Sequence, residues 1–223
     1  MSWIAFAAVL GAFFLTHSVP VRPAIRARLV DVLGANGFII AYLLLSIFML
    51  AWLITAAADA PYVSLWDQAL WQRTVTFYGM LAVCLLVALA AARPNPFSLG
   101  GFHNERFDPA YPGLVRWSRH PLLLALAIWA GVHILPNGDL AHAILFGVFA
   151  EFSILGMKLI DRRKMRLLGQ EKWLALKHQV SAAPMWATPQ SWAVLGLRIA
   201  AGGLGFLLLV LLHPTVLGVS PMP

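Results

Sequence analysis

Charge is scarce in this chain. Only 11% of its 223 residues are Asp, Glu, Lys or Arg, while 61% are hydrophobic and the mean hydropathy is +0.79. A soluble domain carries about 25% charged residues. A water-facing globule of this length has too little interior for so much apolar surface, so a soluble enzyme is excluded and an integral membrane protein is expected. Cysteine is nearly absent. Cys84 stands alone, which excludes an internal disulfide and any multi-cysteine zinc or iron–sulfur centre; its apolar setting reads as an inert thiol. Acidic residues are also few, nine against sixteen Lys and Arg, for a net charge of +7. In a soluble protein that excess would suggest nucleic acid. In a membrane chain it reports orientation and contact with anionic lipid, and no nucleic-acid partner is expected.

What is present is a series of long apolar runs. A hydrocarbon core of about 30 Å takes about 20 residues of helix, and backbone groups in lipid must be paired internally, which favours helices. Six spans are expected, at Trp3–Thr16, Gly37–Ala58, Thr74–Ala92, His120–Leu135, Leu140–Ile160 and Trp192–Leu212. The fold class is therefore an all-α polytopic membrane bundle forming one domain over residues 1–223. The first and fourth spans are short. Fourteen of the sixteen Lys and Arg residues fall in the odd-numbered connections or, for Lys158, close the span that leads into one, which places those connections in the cytoplasm and both termini outside. The first apolar stretch has no basic residue before it and reads as a retained span rather than a secretory signal. Residues 161–191 read as an amphipathic helix on the cytoplasmic surface, with Trp173, Leu174 and Leu176 among basic residues.

Ionisable side chains are costly inside a bilayer and are functional candidates by default. Seven histidines in so apolar a chain are the main chemical clue. His103 and His178 fall in cytoplasmic segments and His142 at an outer edge. His17, His120, His133 and His213 lie in or at the ends of spans. His120 opens the fourth span in Arg119-His120-Pro121, a motif that suits either a cytoplasmic ligand site or a helix start, since proline is tolerated in a first helical turn. His133 shares a helix face with Leu126, Trp129 and Ala130 by the three-to-four spacing. Ala130 leaves room there for a flat ligand or a close helix. Glu151, in mid-span, is expected to pair with Arg198, which otherwise would hold an anionic ligand group such as a propionate. Small residues from Ala201 to Gly205 mark a face for close helix packing.

Taken in order, these segments resemble the NnrU family and the related zeta-carotene isomerases of plastids. The resemblance rests on Thr16-His17-Ser18 and the basic stretch after it, Arg116-Trp117-Ser118-Arg119-His120-Pro121, Ile128 to His133 with Asn137-Gly138, Asp161-Arg162-Arg163, Leu168-Gly169, Ser181 to Pro184, and His213-Pro214. It implies a polytopic helical protein of the bacterial inner membrane that holds haem b through histidines. His17 and His133 would be the ligands by position, with His120 as their competitor and Trp129, Arg119 and Arg198 beside the cofactor. The implied chemistry is redox-dependent cis–trans isomerisation of a hydrophobic polyene, or a part in nitrite and nitric oxide reduction. The isomerases carry a cysteine where this chain has Ala130, so a thiolate switch is not expected.

Depth along the helices favours other pairs. His133 lies thirteen residues, or about 20 Å, beyond the start of the fourth span at about 1.5 Å per residue. Straight helices would bring His17 to His120, or His133 to His213. Two other classes fit parts of the sequence. A membrane methyltransferase using S-adenosylmethionine would account for Arg119-His120-Pro121 and the Gly169 to Trp173 segment. A non-catalytic assembly factor would account for the basic connections.

Overall fold

The computed structural model describes residues 1–99, 101–186 and 188–223, and the secondary structure of these residues is helical apart from one isolated bridge between Ser64 and Asp139. Seven α-helices follow one another among the described residues: α1 (Trp3–Ser18), α2 (Pro23–Ala58), α3 (Leu70–Ala90), α4 (Pro121–Ile134), α5 (Leu140–Leu168), α6 (Gln170–Ala182) and α7 (Trp192–Leu217). Four of them, α2, α3, α5 and α7, are long and apolar enough to cross a membrane. The other two expected spans are shorter helices. The 16 residues of α1 and 14 of α4 extend about 24 and 21 Å at 1.5 Å per residue, less than the hydrocarbon thickness.

The chain divides into two compact units. The first holds α1, α2 and residues 138–145. Ser2 caps α1 by accepting a hydrogen bond from the Ala5 N–H, and Phe6, Val9 and Phe13 recur on one face and are buried, packed toward α2. The second expected span begins earlier than its apolar run: the helix starts at Pro23, with the basic residues Arg26 and Arg28 inside it. Proline suits a helix start because its missing donor would be unpaired there. The break comes at Gly34, whose φ of 72° lies in the left-handed region that glycine enters freely. Farther on, the Leu65 N–H donates to the Gly138 carbonyl and the Leu140 N–H to that of Val63. Asp139 caps α5 by accepting from the His142 N–H at 3.1 Å, and its other oxygen lies 2.7 Å from His142 Nδ1.

The second unit holds residues 68–137 and 146–223, with α3 packed against α4 and α7. Two glycines allow these approaches. A Cβ on Gly79 would meet Val132, and one on Gly202 would sit 3.0 Å from the Leu85 Cα. Thr76 Oγ1 adds a hydrogen bond of 2.6 Å to the Val132 carbonyl. The expected amphipathic helix over residues 161–191 is not one element, and Ala187 within it lies outside the described residues. Instead α5 continues to Leu168, because charged side chains do not end a helix. Gly169, with φ 85°, separates it from α6. Trp173 and Val180 of α6 join Phe97 and Val115 from the α3–α4 connection in a buried apolar cluster.

Candidate functional site

The α3–α4 connection folds onto the adjoining ends of its helices and builds a closed polar network. His120 precedes α4 and is only 3% exposed. Its Nε2 lies 3.0 Å from Asp161 Oδ1 of α5, and its Nδ1 lies 2.9 Å from Ser98 Oγ. Arg119 grips the same carboxylate with two donors, Nε to Oδ1 at 3.2 Å and Nη2 to Oδ2 at 2.6 Å. Its guanidinium also lies over the Trp173 ring at 5.6 Å. Burial pushes the His120 pKa below the usual imidazole value, against the opposing pull of Asp161. The ring is therefore neutral at pH 7, with one proton. Because a carboxylate can only accept, that proton sits on Nε2 and donates to Asp161, while Nδ1 accepts from the Ser98 hydroxyl.

The order Ser98, His120, Asp161 is that of a hydrolase relay, but Ser98 is itself buried and offers no open nucleophile. What the network does is tie three chain segments together. Asn95 extends it, donating from Nδ2 to the Arg119 carbonyl at 2.9 Å and accepting from the Phe97 N–H. No spacing in the sequence marks Asp161, Ser98 and Asn95 as partners in this network. The signal for Asp161 is its sign, a lone carboxylate heading the run Arg162, Arg163 and Lys164.

His17 and His133 are held differently. His17 Nδ1 lies 2.8 Å from the Phe13 carbonyl, and His133 Nδ1 lies 2.7 Å from that of Trp129, each four residues back in its own helix. A carbonyl only accepts, so both rings carry their proton on Nδ1. Neither Nε2 has a partner among the described residues, and in the neutral ring it is the nitrogen left with the lone pair. In the first unit the His17 ring stacks on Phe13 at 3.9 Å, with Tyr42 at 5.9 Å. In the second, His133 is flanked by Trp129 at 5.4 Å and Phe146 at 5.1 Å. A backbone carbonyl on Nδ1 is the arrangement that orients an imidazole to ligate through Nε2. His213 repeats it, with Nδ1 2.7 Å from the Val219 carbonyl, and lies within electrostatic range of His133.

Arg198 does not meet Glu151. Its guanidinium donates to the Ala88 and Ala91 carbonyls at 2.8 and 2.9 Å, at the end of α3 where backbone acceptors lack helical partners. Glu151 is exposed and forms no ion pair among the described residues. The expected pair fails on depth: Glu151 lies about 14 Å from Ile160 along α5, at 1.5 Å per residue, whereas Arg198 reaches the very end of α3.

A helical chain with four helices long and apolar enough to cross a membrane belongs among polytopic membrane proteins, and the two histidines held alike on their own helices make its candidate site. More particularly, the family model described as NnrU protein matches residues 5–221, and the chain belongs to the NnrU family. No curated protein and no solved structure matches it.

Proposed function

We propose that this NnrU protein binds haem b in the bacterial inner membrane, with His17 and His133 as histidine donors, each within its own unit. One observation carries the reading: both rings rest Nδ1 on a backbone carbonyl and have no partner at Nε2 among the described residues, whereas both nitrogens of His120 are already engaged. The donor set fits haem better than a bare ion. Among the described residues no three His, Cys, Asp or Glu side chains converge to hold a metal ion, but a porphyrin fills the equatorial positions itself and asks the protein only for axial ligands.

Bound haem would supply a one-electron redox centre able to interact, when reduced, with a polyene double bond or a nitrogen oxide. The chain's own part is to orient imidazoles and exclude water. Trp129, with Phe146 and Phe149 edge-on at 5.4 and 5.6 Å, forms an apolar wall beside His133 that suits a porphyrin face or a hydrophobic polyene. Cis–trans isomerisation of such a polyene is the activity this wall favours; service to nitrite or nitric oxide reduction is the alternative that the family suggests. Arg119 and Arg198 act at a distance, by fixing Asp161 and the end of α3.

The test is haem content. Protein from haem-replete cells is expected to carry haem that His17→Ala or His133→Ala loses and His120→Gln keeps. Vesicles holding the reduced protein and a central-cis polyene then report isomerisation. Haem-free wild-type protein, or equal haem loss in His120→Gln, would overturn the proposal.

A further inference from the structure

A second polar feature lies beside the His120 network and shares only Asn95 with it. In the second unit, the end of α3 and the α3–α4 connection enclose a cavity of about 80 Å³ lined by Arg93, Arg106, Asn95, Asp108, Tyr111 and Gln190, among others. Liquid water occupies about 30 Å³ per molecule, so the space takes two or three waters or one tetrahedral oxyanion. Arg93 dominates it. Its side chain is half-buried, and its guanidinium has neither a hydrogen-bond nor a carboxylate partner among the described residues. Arginines in such settings are ordinarily paired, because an uncompensated charge away from water is costly.

The neighbours worsen the imbalance. Arg198 stands close enough to act on Arg93 as a like charge, and burial together with that repulsion pushes the Arg93 pKa below its usual value. The lining carboxylate does not relieve it: Asp108 is exposed, with Oδ1 accepting from the Ala110 N–H at 2.9 Å, and no ion pair to Arg93 forms. The Asn95 side chain is spent on backbone partners, the Arg119 carbonyl and the Phe97 N–H. The remaining polar lining groups are the Arg106 guanidinium, the Tyr111 hydroxyl and the Gln190 amide, all able to donate.

We infer that this cavity is an anion site that takes a phosphate group, with Arg93 as its principal ligand and Arg106 at its rim. Arginine's planar fork matches phosphate oxygens, and a tetrahedral oxyanion fits the volume. The group arrives either as free phosphate or as the head of an anionic lipid.

The test uses the full chain in neutral detergent and in nanodiscs. Inorganic phosphate is titrated while thermal unfolding is followed for the wild type, Arg93→Gln and, as an equal charge change at an exposed position, Arg28→Gln. Without anion, Arg93→Gln is expected to match or exceed the wild type in stability, because it removes an unpaired charge facing Arg198. With phosphate the order reverses, and apparent affinity falls ~10-fold or more, as losing a charge-assisted bond implies. Arg28→Gln behaves as wild type. Nanodiscs of phosphatidylcholine with and without phosphatidic acid separate the sources: stabilisation by phosphatidic acid alone identifies a lipid headgroup, and by phosphate in detergent a free ion. No response to either, or equal responses in wild type and Arg93→Gln, overturns the inference.

Discussion

Replacing His120 tests the polar network where it is most exposed to failure. His120→Ala removes the Nε2–H bond to the Asp161 carboxylate and strands the Ser98 hydroxyl, which is 3% exposed. A hydrogen bond to a charged group contributes about 1.5–3 kcal/mol, and an orphaned buried polar group costs about 1–3 kcal/mol. The two losses share one network and do not simply add. Arg119 still holds Asp161 through two bonds, so no buried charge is left bare. The expected destabilisation is about 3–5 kcal/mol, a fall in Tm on the order of 10 °C for a chain of this length. His120→Gln, whose amide can donate to Asp161, should cost about 1–3 kcal/mol, the share of Ser98 alone. Thermal unfolding in one detergent ranks the three proteins. The pH profile adds a sign. Burial lowers the folded-state pKa of His120 below the unfolded value of about 6.5, so the unfolded chain takes the proton first. The stabilisation is complete above about pH 6.5 and is lost progressively as pH falls from there toward the folded pKa. His120→Gln should lack that slope. A His120→Ala protein within about 1 kcal/mol of wild type, less than one bond to a charge, would refute the reasoning.

The remaining predictions concern the α3–α7 contact. Arg198→Leu loses two charge-assisted bonds to the Ala88 and Ala91 carbonyls and should destabilise by about 2–4 kcal/mol, with Arg198→Lys intermediate; unchanged unfolding in both would contradict the capping role. Gly202→Leu forces a branched side chain against the Leu85 backbone, 3.0 Å from the first added carbon, and should cost about 1–3 kcal/mol. At Gly203 an added Cβ meets open space, so Gly203→Ala should stay within about 0.5 kcal/mol of wild type. Equal unfolding temperatures for these two variants would show that the helices do not approach through Gly202.

The helices were legible because apolar runs are long and lipid leaves the backbone little choice. Their ends were not. Pro23 starts α2 well before its apolar stretch, and α5 runs on through Arg162, Arg163 and Lys164 until Gly169, since helix ends follow backbone conformation rather than hydropathy. Half of the histidine chemistry was local and readable in principle. His17 and His133 each bond a carbonyl four residues back, a spacing that any helix provides. The other half was not. Asp161 is 41 residues from His120 and Ser98 is 22 away, and no spacing rule joins a loop to two helices. The sequence points Arg198 to Glu151 because both carry charge inside apolar spans at depths that could match; its actual acceptors are uncharged carbonyls that every sequence contains.

The sorting of histidines into two protonation classes is the centre of this account, and nitrogen NMR of histidine-labelled, haem-free protein near pH 7.5 reads it directly, with His→Gln variants assigning each ring. His120 is predicted to appear as the neutral Nε2–H tautomer, and His17 and His133 as Nδ1–H. A His133 ring carrying its proton on Nε2, or a His120 ring carrying it on Nδ1, would contradict it.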